Sequence, residues 1–206
     1  MRKFKSSLLL ASLVVLALAV SGCAVGPLVS HEPARTVGEG RDELTVGYGL
    51  ASYVLKWNHG LAEDWDIGVQ WEALSLGLRV KHAFVNAQEH GWSFAVAGGF
   101  GTSLGGNHYY GDLMLSHLSS SVEPYGSFRY VHVRTDPVDF RNENTGQVAF
   151  TVSSANYSYG QFFLGSRFWI TPTVNFSLEI SSLASLSSGL VLGDSLIYGA
   201  GLGFRF

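Results

Sequence analysis

The stretch Ser195-Leu196-Ile197-Tyr198-Gly199-Ala200-Gly201-Leu202-Gly203-Phe204-Arg205-Phe206 decides the fold. Every second residue, counted back from the end, gives Phe206, Phe204, Leu202, Ala200, Tyr198 and Leu196. The residues between are Arg205, Gly203, Gly201, Gly199, Ile197 and Ser195. Successive side chains of a strand point to opposite faces, so this segment carries an apolar ribbon on one face and a small or polar one on the other.

The same alternation recurs upstream. Strands are predicted over about 43–50, 52–60, 65–72, 75–86, 91–102, 109–117, 123–134, up to 148–169, and 174–181. In the last of these Val174, Phe176, Leu178 and Ile180 alternate without error with Asn175, Ser177, Glu179 and Ser181. No apolar run beyond the first 22 residues approaches the roughly 20 residues that a spanning helix needs, so any membrane crossing is by strands. The terminal Phe206 after alternating apolar residues resembles the closing strand of small bacterial outer-membrane β-barrels of the OmpA/OmpX type. That resemblance implies an all-β fold: a closed antiparallel transmembrane β-barrel of about ten strands, within a range of eight to twelve. It also implies that barrel-assembly machinery reads Phe206.

The connections agree with such a barrel. With Phe206 at the periplasm, the short turns near 60–64, 86–91, 117–122 and 170–173 share its side, and the longer connections 135–147 and 182–194 lie outside. Trp57, Trp65, Trp92 and Trp169 fall beside the periplasmic turns, and Tyr48, Trp71, Tyr109, Tyr110 and Tyr198 near the outer ends. Two aromatic belts are expected at the two membrane interfaces.

Residues 1–22 read as a signal peptide: Arg2, Lys3 and Lys5 precede an apolar run from Leu8 to Val20. Val20-Ser21-Gly22-Cys23 resembles a bacterial lipobox, which implies acylation of Cys23; cleavage after Ala17-Leu18-Ala19, leaving a lone thiol, is the rival reading. Ala24 in place of Asp implies outer-membrane sorting. Residues 23–41, with Pro27, Pro33, Gly38 and Gly40 and no periodicity, read as a lipidated tether held on the periplasmic side, and 42–206 as the barrel. The single cysteine allows no internal disulfide. The mature chain has ten basic and 16 acidic residues, net −6, which argues against a nucleic-acid partner.

Polar positions on the other strand face predict a charged lumen: Lys56, Arg79, Lys81, Arg129, Arg167 and Arg205 with Asp66, Glu72, Asp112 and Glu179. In a barrel this narrow side chains fill the interior, and buried charges are expected to pair across it. A narrow charged passage is the competing reading, with room left by the glycines of the strands near 43–50, 91–102 and 195–206. His108, His132, Asp112, Asp136 and Ser103 fall toward the outer rim, where some outer-membrane enzymes place a His with a carboxylate or serine; none of those enzymes' local motifs is present. No metal-ligand spacing or cofactor motif occurs. The reading is a non-enzymatic, lipid-anchored outer-membrane barrel with a structural or interaction role in the envelope. Its partners are outer-membrane lipids and the barrel-assembly and lipoprotein-sorting machineries. A small passive channel and a lipid-modifying enzyme are the alternatives.

Overall fold

The computed structural model describes residues 26–49, 52–72, 75–103, 106–141, 147–187 and 196–206. Residues 1–22, read as a signal peptide, and Cys23 lie outside the described residues. The described residues form twelve strands, in chain order β1 (Asp42–Gly49), β2 (Ser52–Ala62), β3 (Trp65–Glu72), β4 (Ser75–Val85), β5 (Gly91–Ser103), β6 (Gly106–Leu118), β7 (Val122–Thr135), β8 (Val138–Arg141), β9 (Val148–Val152), β10 (Ala155–Thr171), β11 (Val174–Ser185) and β12 (Leu196–Arg205). Ten of them close into one antiparallel barrel, in the order β1-β12-β11-β10-β7-β6-β5-β4-β3-β2.

Closure occurs between the first and last strands. β1 and β12 pair from Glu43↔Arg205 to Gly49↔Gly199, and Asp42 and Phe206 exchange two backbone hydrogen bonds of 2.9 Å at the foot of the seam. A closed sheet leaves no unpaired edge, which is what a lipid surround demands of a spanning sheet. Both ends of the barrel chain lie at the end carrying the turns 63–64, 86–90, 119–121 and 172–173. The long connections 136–154 and 186–195 lie at the other. By the usual loop asymmetry the first end is periplasmic and the second extracellular.

The predicted strands 1 to 7 correspond to β1 to β7 and the last three to β10, β11 and β12. One element was missed. β8, in the polar loop expected over 135–147, pairs with β9 as a separate hairpin, Val138↔Val152 to Arg141↔Val148; β9 takes the start of the strand expected over 148–169, which the structure breaks at 153–154. The hairpin's strands have four and five residues, too short for alternation to stand out.

The outward face carries a broad apolar band. Val46, Leu55, Leu78, Val80, Leu113, Leu115, Phe162, Leu164, Leu178 and Leu202 are all exposed. Trp57, Trp65 and Trp92 point outward toward the periplasmic end, and Tyr48, Trp71, Tyr109 and Tyr198 outward near the other. Two of the expected belt residues face inward instead. Tyr110 is 5% exposed and lies under the Arg129 guanidinium, 4.6 Å from its ring centroid. Adjacent aromatics in a strand take opposite faces, so only one of Tyr109 and Tyr110 can meet lipid. Trp169 shares the inward face of Arg167 and meets the guanidinium groups of Arg35, Arg205 and Arg167 at 5.2, 4.8 and 5.7 Å.

Candidate functional site

The polar interior is where the molecule departs most from its sequence reading. Residues 26–38, expected to be part of a tether on the periplasmic side, lie inside the barrel, all of them buried except the half-buried Leu28. The segment enters the lumen beside β6, β7 and β10 near their outer ends. A Cβ on Gly26 would stand 2.9 Å from Val131 and 3.5 Å from His108. It descends along the axis and leaves at the periplasmic mouth, where Gly38 and Gly40 turn it into β1 with φ of 90° and 67°, a backbone region that glycine tolerates. There Gly40 N–H donates to the Gly60 carbonyl and Gly60 N–H to the Arg41 carbonyl, both at 2.9 Å.

An extended segment with no strand partner must have its backbone groups satisfied by side chains, and the barrel wall supplies them. The Glu72 carboxylate accepts the N–H groups of Leu28 and Val29 at 3.0 and 3.4 Å. Glu179 accepts those of Ser30 and His31, both at 2.8 Å, and the Tyr125 hydroxyl at 3.0 Å. Asp66 accepts Val37 N–H at 3.2 Å. The carbonyls are met by cations and amides. Arg129 donates to Pro27 at 2.9 Å, Gln161 to Leu28 at 2.7 Å, Gln70 to Val29 at 2.9 Å, Arg167 to His31 at 2.9 Å and Lys81 to Arg35 at 2.8 Å. Lys56 donates to Ser30.

Charge is distributed in the same way. Glu32, at the middle of the segment, receives Lys81 at 2.8 Å and pairs with Lys56 and Arg79. Arg35 forms a two-pronged pair with Glu123 at 2.9 and 3.1 Å. Pairs within the wall complete the set: Arg129 with Asp112 at 2.7 Å, Lys81 with Asp66 at 2.8 Å, and Arg167 and Arg205 with Glu43 at 3.0 and 2.9 Å. All ten expected lumen charges point inward, nine of them buried and Arg205 half-buried. Glu179 was expected to meet Arg or Lys side chains; its carboxylate hydrogen-bonds backbone and a phenol instead. Sequence reasoning omitted Glu32, Arg35, Glu43 and Glu123. Glu43 and Glu123 continue the inward parity of β1 and β7, a signal that was available; Glu32 and Arg35 lie in a segment with no period.

Glycines carve the groove the segment occupies. Gly47 and Gly49 on β1 stand opposite Gly201 and Gly199 on β12. A Cβ on Gly49 would reach 2.4 Å from Val29, and one on Gly47 2.9 Å from His31. The room the sequence leaves at these strands is therefore filled from within. Below it a cavity of about 720 Å³ opens at the periplasmic mouth, lined in part by Arg35, Arg41, Glu63 and Trp169.

The rim residues do not converge. His108 points into the lumen and is fully buried. Asp112, also in the lumen, is engaged by Arg129. His132 belongs to the opposite face of β7 from Val131 and Val133, and its Nδ1 lies 3.0 Å from Ser158 Oγ on β10. Among the described residues no group of three or more His, Cys, Asp or Glu side chains is placed to hold a metal ion.

Closure, an apolar outer band with aromatic residues at both ends, and a polar filled interior together define a transmembrane β-barrel of the outer-membrane type. No family model and no curated relative matches the chain. Among solved structures it is similar to the N-terminal β-barrel domain of Pseudomonas aeruginosa OprF, at 14% identity over 82% of this chain and 99% of that one, with a TM-score of 0.41. It is similar to the NanC porin at 11% identity over 80% of this chain and 100% of that one, TM-score 0.46. The attachment invasion locus protein Ail of Yersinia pestis is similar at 15% identity over 82% and 99%, TM-score 0.33. At these values the assignment rests on the barrel's own closure and lipid-facing band.

Proposed function

We propose that this chain is a non-enzymatic, lipid-anchored outer-membrane barrel, closed to solutes by its own amino-terminal segment, with a structural or interaction role in the envelope. Cys23 carries the acyl anchor, and the lipoprotein-sorting and barrel-assembly machineries deliver and insert the protein. The observation that carries the reading is the course of residues 26–38, which occupy the lumen from Gly26 down to the mouth. An open passage needs an unobstructed polar path, and here the wall's inward charges are engaged by the segment or by one another. A catalytic rim is disfavoured by the placement of His108 and His132 on opposite faces of the wall, since a working base must stand about 3 Å from its proton partner.

Single-channel recording in planar bilayers tests this reading. The intact protein is expected to give no resolved conductance steps. The variant Glu32→Ala with Arg35→Ala, which removes the segment's two charged anchors, is expected to give flickering steps. Steady steps from the intact protein would favour the passive channel.

A further inference from the structure

We propose that the amino-terminal end of the mature chain is displayed at the extracellular opening, so that the acyl group of Cys23 lies in the outer leaflet at the cell surface and not at the periplasmic face. The place of the lipid rests on the reading of Cys23 as acylated; the course of the chain does not.

Direction and reach place this end of the chain. Each contact along the segment moves toward the periplasm: Gly26 beside Val131, Val29 against Gly49, His31 against Gly47, Arg35 on Glu123, and Thr36 donating to the Glu63 carbonyl at 2.6 Å. The order is fixed by the ladder, because Gly49 and Gly47 lie on β1 above its periplasmic start and Glu63 lies in a periplasmic turn. Followed toward lower residue numbers, the chain climbs. Beside Gly26, His108 stands two residues from the outer end of β6 and ten from its periplasmic end. Tilted strands advance about 2.5 Å along the barrel axis per residue, so the outer rim is about 5 Å away and the periplasmic rim about 25 Å. Gly26 is three residue steps from Cys23, which span at most about 10 Å. That suffices to leave through the outer opening. It does not suffice to return to the periplasm, and the return path is already occupied by residues 27–37.

The test inserts a short epitope between Ala24 and Val25 of the full chain, leaving the lipobox intact. Control copies carry the epitope between Asn142 and Glu143 outside, or in the turn at Glu63 inside. Antibody binding to intact cells and palmitate incorporation are measured together on protein that keeps its heat-modifiable mobility. Expected are intact-cell binding equal to the Asn142 control, with palmitate incorporated. Binding that needs permeabilisation, as at Glu63, overturns the proposal. Surface binding without palmitate overturns the acylation reading and leaves the chain's course standing. Should the insertion block assembly, Val29→Cys with Gly49→Cys serves without one. The two positions are in contact in the outer half of the lumen, so a disulfide is expected to form in the cell envelope. A folded barrel with both thiols free would overturn the course on which the proposal depends.

Discussion

The barrel wall and the segment it encloses are made of the same chain under opposite rules. In the wall each residue's neighbours follow from its parity: Leu178 faces lipid because Glu179 faces the lumen, and backbone groups are satisfied strand to strand. In the enclosed segment no backbone pairing with a strand is available, and Glu72, Glu179, Lys56 and Arg167 supply the hydrogen bonds instead. The wall is therefore specified locally and tolerates substitution position by position. The segment is specified by several distant side chains at once, and failure at one leaves others unsatisfied.

Changes at four positions break that contrast, taken in decreasing order of effect. Glu32→Ala removes the carboxylate that Lys56, Arg79 and Lys81 share, leaving buried cations short of a partner. Breaking a buried pair by removing one partner costs about 3–5 kcal/mol, so a urea titration of the refolded barrel in bilayers should show a loss of that order. No measurable loss would mean that the segment does not hold the lumen together. Leu178→Arg places a cation on the lipid face of β11, where it costs about 2–4 kcal/mol near the midplane. Glu179→Gln, one residue on, keeps an acceptor for Ser30 or His31 but weakens the set; leaving a buried donor unsatisfied costs about 1–3 kcal/mol. Glu179→Leu should exceed Gln, since it leaves both N–H groups and the Tyr125 hydroxyl without their acceptor. A harmless Leu178→Arg beside a severe Glu179→Gln would reverse the assignment of faces. Deleting Phe206 should have the smallest effect on the assembled barrel. It removes both Asp42–Phe206 backbone hydrogen bonds at the foot of the seam but leaves the pairing from Glu43 to Gly49 intact, and it should lower the yield of heat-modifiable protein in the outer membrane. An unchanged yield would remove Phe206 as an assembly signal.

The same contrast explains what the sequence made legible. Alternation located all ten barrel strands, because a period of two needs only the strand itself to be read. Alternation also pointed Tyr110 and Trp169 inward, where aromatic character at a strand end suggested a belt. It failed for β8 and β9, whose length gives no period. It was silent for residues 26–38, since nothing in Gly26-Pro27-Leu28-Val29-Ser30-His31-Glu32-Pro33 distinguishes a linker from a buried extended chain. One indirect sign was present. Gly47, Gly49, Gly199 and Gly201 remove side chains from the lumen face of two neighbouring strands, and a narrow interior left partly unfilled needs an occupant.

The seam between β1 and β12 has a consequence for how the molecule comes into being. The segment runs directly into β1 through the turn at Gly38 and Gly40, and its middle lies against glycines contributed by the first and the last strand. A chain of buried Glu32, Arg35 and His31 cannot be drawn lengthwise through a finished cylinder without stripping water from those groups ahead of their partners. Laying the leading end along the sheet before β12 closes on β1 would avoid that cost, so closing the cylinder and filling it are linked.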